Sequence, residues 1–307
     1  MENLDFLDKL FSKKQIANST KKNYKYYLTK LNDGDVVKNL KFLEDSNLII
    51  DSLKDKSPTV RKNYLASISS ALGLSKRNKK LDESYKIYKK ELETVNKDIS
   101  SKSNIATDNI KDNWITKDEV QDNIDKLSKL LSSFKRKKIL TDTEYNILLK
   151  LVVLSLYVLI PPRREADYTY MLIQNDNSGD DNIFNLREKT FTFRKYKTKN
   201  IYGDQIISIP PDLLGLLNLY YSIISKRYNI NKLPVNFLIW GNGKPFKRND
   251  IYHILSDIFG KKVGSTQLRR LYLTNAYQGI DEQMQQDAEM MATTPSTIKK
   301  YYVKKNV

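Results

Sequence analysis

Apolar residues recur every three or four positions over most of the chain, and the recurrence stops where turn formers or prolines intervene. Tyr24, Tyr27, Leu28 and Leu31 fall on one face of a helix that Ser19 can cap. Val36 to Leu53 fits a second helix, with a break near Asp45-Ser46-Asn47. Ser57 followed by Pro58 signposts a third, with Tyr64, Leu65, Ile68 and Leu72 on its inner face. A fourth carries Leu81, Tyr85, Tyr88, Leu92 and Val95 in one stripe. Basic residues fill the opposite faces, including Lys21, Lys22 and Lys25, Arg61 and Lys62, and Lys79, Lys80, Lys89 and Lys90. Such a face serves as solvated surface or as a set of phosphate contacts. The pattern predicts an all-helical unit over residues 1–96.

Residues 97–113 (KDISSKSNIATDNIKDN) are polar and aperiodic, and read as a linker. Beyond them Thr116 with Glu119 forms a capping box that opens a helix through Leu131. A basic knot, Phe134–Lys138, crosses to a second box, Thr141 with Glu144. The helix it opens is apolar nearly all round up to Ile160, which predicts burial, and Pro161-Pro162 stops it. The period then changes to alternation. Ile183–Leu186, Thr190–Tyr196 and Gln205–Pro210 have strand composition. Helical spacing returns at Leu213–Ile224 and, after a Gly241–Pro245 turn without the spacing of a phosphate-binding loop, at about 248–259, 266–278, 281–291 and 295–304. The predicted fold class is mainly α with a small antiparallel sheet: a helical domain (1–96), a linker (97–113) and an α+β domain (114–307).

Composition narrows the chemistry. The 307 residues include no cysteine and one histidine, His253, which excludes disulfides, thiol nucleophiles and Cys/His zinc sites. No metal or cofactor is expected. The first residues lack the basic, then apolar, pattern of a signal peptide, and the greasiest stretch, Ile147 to Ile160, is interrupted by Lys150. The expectation is a soluble, intracellular protein with no membrane span. Its 53 Lys plus Arg against 36 Asp plus Glu give a net charge of +17, which fits a polyanionic partner. Lysine also rises here together with Asn, Ile and Tyr, so charge alone does not decide.

Four segments of the second domain carry residues suited to phosphate chemistry. Arg163 and Arg164 follow the buried helix in Pro-Pro-Arg-Arg-Glu-Ala-Asp, where a guanidinium fork can meet phosphate oxygens or pair with Glu165 or Asp167. Lys197 sits between two strands, where a lysine can deliver a proton. Arg269 and Arg270 lie on a helix whose Leu268, Leu271 and Tyr272 are expected to face inward. Tyr301 and Tyr302 close a lysine-flanked terminal helix.

In order and spacing these segments resemble the tyrosine recombinase (phage-integrase-type) family. Arg164-x-x-Asp167 matches that family's first arginine motif, and Lys197-Thr198 its hairpin lysine. Thr266-Gln267-Leu268-Arg269-Arg270 matches its second arginine motif with the histidine replaced. The run from Ala292 to Tyr301 matches its nucleophile segment, again with the histidine replaced. Ser19–Tyr24 and Ser57–Tyr64 look like parts of its helical core-binding domain, so the resemblance spans most of the chain. The Pro-Pro-Arg-Arg variant looks most like integrases of large DNA viruses and their virophages, which would place the protein in host cytoplasm or nucleus.

The resemblance implies a helical core-binding domain and an α+β catalytic domain clamping double-stranded DNA. It implies Tyr301 as nucleophile, Arg164 and Arg269 as phosphate ligands, Lys197 as general acid and Asp167 as support. Thr266 and Ala292 stand at the replaced histidine positions, and Lys21, Lys22, Arg61, Lys62, Arg163 and Arg270 are expected DNA contacts. Three registers stay open: Arg163 for Arg164, Arg270 for Arg269, and Tyr302 for Tyr301. The expected activity is site-specific recombination or integration. Alternatives are a catalytically weakened DNA-binding protein, or a topoisomerase or telomere-resolvase relative using the same tyrosine chemistry. Only Val303–Val307 follow the tyrosine pair, which implies a monomer in solution and a tetramer on paired DNA sites.

Overall fold

Local capping and one buried helix organise the molecule, whose computed structural model describes residues 5–102 and 112–298. The chain divides into two units, Met1–Thr107 and Asp108–Val307. In the first, α1 (Phe6–Ser12), α2 (Asn18–Leu31), a 3-10 turn (Lys41–Leu43), α3 (Ser46–Ser52), α4 (Pro58–Leu74) and α5 (Lys79–Lys102) enclose a core that includes Leu28, Leu43, Leu65, Ile68, Leu72 and Tyr88. The first helix escapes the periodicity argument because it has only seven residues, yet Leu7, Leu10 and Phe11 bury its inner face. Ala17, not Ser19, holds the N-cap of α2, so Ser19 lies inside the helix. The predicted helix over 36–53 reduces to the 3-10 turn and α3, because Asp45 accepts a hydrogen bond from the Leu48 N–H and starts a new helix there. Helix α5 continues to Lys102, six residues into the segment read as a linker, and Ile99 packs on the same core as Val95. Residues 103–111 of that segment lie outside the described residues.

In the second unit α6 (Lys117–Phe134) and α7 (Asp142–Val158) begin at the two capping boxes, both formed as expected. Leu148, Leu149 and every residue from Leu151 to Tyr157 are buried, so α7 is the core element. It leads through α8 (Glu165–Thr169) into a five-stranded sheet of β1 (Leu172–Gln174), β2 (Ile183–Asn185), β3 (Thr190–Phe193), β4 (Gln205–Ser208) and β5 (Val235–Asn236). The strand order is β4-β3-β2-β1-β5. The sheet is mixed, not wholly antiparallel: β1 pairs with β2 in parallel and the other pairs are antiparallel. The sequence pattern predicts neither β1 nor β5, of three and two residues: β1 follows α8 directly, and β5 is too short for alternation to reveal. The remaining elements are α9 (Lys199–Tyr202), α10 (Pro211–Arg227), α11 (Asp250–Phe259), α12 (Ser265–Met290) and α13 (Pro295–Thr297).

Helix α12 is one helix of 26 residues where the pattern predicts two. An interior glycine such as Gly279 costs about 1 kcal/mol relative to alanine, too little to break a helix stitched by Gln278–Glu282, Gln283–Asp287 and Gln285–Glu289 bonds. Among the described residues no helix is long and apolar enough to cross a membrane.

Candidate active site

Pro161 and Pro162 end the buried helix and hand the chain to two arginines with different fates. Arg163 is only 14% exposed and pairs with the 4% exposed Asp167 at 3.0 Å. Its Nη1 donates to Gln205 Oε1 at 2.7 Å, and its guanidinium lies 3.8 Å from the Phe193 ring centroid and 5.0 Å from that of Tyr196. Arg163 is therefore a strut between α8 and the β3–β4 hairpin. Arg164, at the N-cap of α8, is half-buried and makes no side-chain hydrogen bond or ion pair among the described residues. Burial raises the Asp167 carboxyl above the usual carboxylate range, and Arg163 and, after it, Arg164 oppose the rise.

The hairpin is fastened a second time by Asn182, which is 2% exposed. Its amide nitrogen donates to the Asp167 carbonyl at 2.9 Å and to the Lys195 carbonyl at 3.0 Å. Its side-chain oxygen accepts from the backbone N–H groups of Arg194 and Lys195 at 2.8 and 2.7 Å. This fixes the start of the connection that carries Lys197. Lys195 pairs with Asp181 at 2.6 Å, and both Arg194 and Lys199 pair with Asp204. Lys197, in the connection between the two strands, is exposed and has no such partner among the described residues.

The second arginine segment opens α12. The Ser265 N–H and hydroxyl lie 3.5 and 3.4 Å from Glu165 Oε1, which joins the start of α12 to the residue after Arg164. A methyl group on Gly264 would stand 3.0 Å from the Tyr252 ring and 3.3 Å from Glu165 Oε1, so a larger residue fits only if these side chains give by a few tenths of an ångström. The Gln267 side-chain oxygen accepts from the Gly264 N–H at 3.1 Å and closes the first turn. Leu268 and Leu271 are buried, whereas Tyr272 is 38% exposed and does not face inward as expected. Arg269 is half-buried; Thr266 and Arg270 are exposed; none of the three has a side-chain partner among the described residues.

Ala292 follows the end of α12 with φ of +50°, and the Thr293 N–H closes that end on the Ala288 carbonyl at 2.8 Å. Tyr301 and Tyr302 lie outside the described residues. His253 is exposed in a separate cavity of about 310 Å³ with Asn146, Lys150, Trp240 and Asp257, and no candidate site residue lines that cavity. Its neighbour Tyr252 takes the face toward Gly264. In the first unit Arg61 pairs with Glu91 of α5, while Lys21, Lys22 and Lys62 have no ion pair among the described residues. Among the described residues no group of three or more His, Asp or Glu side chains is placed to hold a metal ion.

Sequence reasoning passed over Asn182 and Tyr252, and considered Glu165 only as a partner for the arginines, not as the acceptor for Ser265. Asn182 carried no signal at all, since a polar residue after an Asp-Gly-rich turn reads as loop. No family model matches the sequence, and no curated protein matches it. Among solved structures the chain is similar to XerA recombinase, with 14% identity, a TM-score of 0.35, and coverage of 89% of this chain and 82% of that one.

Proposed function

We propose that the chain is an enzyme that breaks and rejoins duplex DNA through a 3′-phosphotyrosine, as a site-specific recombinase does. One observation carries the reading. In two segments the neighbouring cations that serve the fold are paired, Arg163 in one and Arg194, Lys195 and Lys199 in the other, whereas Arg164 and Lys197 there, and both Arg269 and Arg270 in the third, have no ion pair among the described residues. Arg163 and Asn182 hold the hairpin against α8, and Glu165 holds α12 against it. Arg164, Lys197 and Arg269, unpaired among the described residues, thus issue from elements fastened to one short helix.

In this reading Arg164 and Arg269 bind the non-bridging oxygens and stabilise the charge that builds on them. The Tyr301 phenolate, its proton released to solvent, attacks phosphorus, the bond to the 5′ oxygen breaks, and Lys197 gives that oxygen a proton. The released 5′-hydroxyl, or that of another strand, reverses the step. Thr266 cannot exchange a proton at neutral pH, so general acid–base assistance at that position, typically worth ~10²–10⁴-fold, is missing. The same substitution supports the second reading, a DNA-binding protein with weakened catalysis.

A pool of randomised duplexes with 5′-bridging phosphorothiolates tests the proposal, because a thiolate leaving group cannot re-attack efficiently and traps the covalent adduct. The wild-type chain forms an adduct that survives denaturation, and Tyr301→Phe does not while still binding DNA. Loss in Tyr302→Phe instead moves the nucleophile by one. Binding with no adduct in any register leaves the second reading.

A further inference from the structure

Tyr157 sits in the last turn of α7, 2% exposed, with its ring edge-on to Tyr168 at 5.9 Å. Its hydroxyl has no hydrogen-bond partner among the described residues. Other buried tyrosines do: Tyr145 donates to the Ile239 carbonyl at 2.6 Å, Tyr220 accepts from the Ile239 N–H at 3.1 Å, and Tyr88 donates to the Leu43 carbonyl at 3.2 Å. An orphaned buried hydroxyl costs stability that phenylalanine would not. The charged groups acting on it are Glu165, Asp167 and Arg269. Asp167 is taken by Arg163, and among the described residues the Glu165 side chain makes only the two long bonds to Ser265 and the Arg269 side chain makes none. Tyr157 also lines a groove of about 290 Å³ with Leu268 and Leu271 of α12, and Leu268 is the residue before Arg269.

We infer that the Tyr157 hydroxyl is a positioning group for Arg269, accepting a hydrogen bond from the guanidinium when its fork engages a phosphate and donating its own proton to Glu165. The inference rests on the proposed function and adds a residue to it. A guanidinium has five N–H donors; two grip a phosphate and a third can be held by a fixed acceptor that sets the plane of the fork. A phenol suits that task better than a carboxylate. It holds the guanidinium without cancelling the charge that the phosphate needs, and burial keeps this phenol neutral by pushing its ionisation well up.

Tyr157→Phe in the full chain removes only that oxygen. Amide-exchange protection of α7 stays equal or rises, DNA affinity stays within about twofold, and adduct formation slows about 10- to 100-fold. Arg269→Lys added to Tyr157→Phe costs no more than Arg269→Lys alone, because both act through one guanidinium. As a second readout, inorganic phosphate slows rotation of the Arg269 guanidinium in the wild type, seen in its side-chain ¹⁵N resonances, and fails to do so in Tyr157→Phe. Wild-type adduct rates in Tyr157→Phe, or fully additive losses, overturn the inference. If the wild type forms no adduct yet phosphate still orders Arg269 through Tyr157, the proposed reaction fails and the positioning role stands.

Discussion

Arg163 and Arg164 differ by one position, and a single tertiary strut separates their roles. Removing Arg163 takes the hydrogen-bonded cation from a buried carboxylate and leaves only the charge of Arg164 acting on it, a loss toward the lower end of the about 3–5 kcal/mol seen when one partner of such a pair goes. Arg163→Ala therefore lowers the protection of α7 amides against exchange by that amount at pH 7. The penalty shrinks toward acid pH, because burial already favours the protonated Asp167 carboxyl. Arg164→Lys has no pair to break, so protection changes by no more than about 0.5 kcal/mol, while adduct formation collapses because a point charge cannot replace the bidentate fork. A large stability loss in Arg164→Lys, with a silent Arg163→Ala, would exchange the two assignments. The sequence alone could not choose, since Asp167 stands within helical reach of both arginines. The choice comes from Gln205, Phe193 and Tyr196, at least thirty residues away along the chain. Tyr157 was hidden for a similar reason: one tyrosine in an apolar helix looks like core until its hydroxyl is found without a partner.

At the level of elements, legibility followed the range of the forces involved. Both capping boxes, the buried α7 and the β3–β4 hairpin were readable because their determinants lie within a few residues. The sheet's parallel pair, the continuity of α12 and the extension of α5 depend on packing or on many weak helical pairs, and local pattern misjudged all three. The first capping box supplies a pH test. A hydrogen bond from Lys261 and the cap on Thr116 hold the Glu119 carboxyl below its ordinary value of 4.5. The depressed value belongs to the folded state, so its stabilisation is present above about pH 4.5 and is lost as pH falls through the lower folded value. Glu119→Gln keeps a capping oxygen but not the charge. The variant should lose about 0.5 kcal/mol at pH 7, a small figure because an ion pair this exposed is screened. Amide exchange across α6 should then show the wild type converging on the variant between about pH 5 and 3. Parallel pH profiles would mean that the carboxylate contributes nothing to the helix.

For the whole molecule the net charge of +17 acts through whichever cations the fold has left unpaired. In the first unit these include Lys21, Lys22 and Lys62, whereas Arg61 is held by Glu91; in the second they include Arg164, Lys197, Arg269 and Arg270. Neutralising ~6 duplex phosphates makes affinity fall roughly 10³-fold between 50 and 200 mM salt, with a logarithmic slope near −0.9 per phosphate. Each unpaired lysine that touches backbone should therefore remove about one unit of slope when changed to alanine. Lys62→Ala is expected to flatten the salt titration of the full chain, and Arg61→Ala, one residue away, to weaken α4–α5 packing with little change in slope. That contrast separates a binding surface from mere basicity, since the two substitutions lower net charge equally. If both flatten the slope alike, the effect is nonspecific charge. If Lys21, Lys22 and Lys62 changed together leave it untouched, the first unit does not contact the DNA backbone, and binding belongs to the second unit alone.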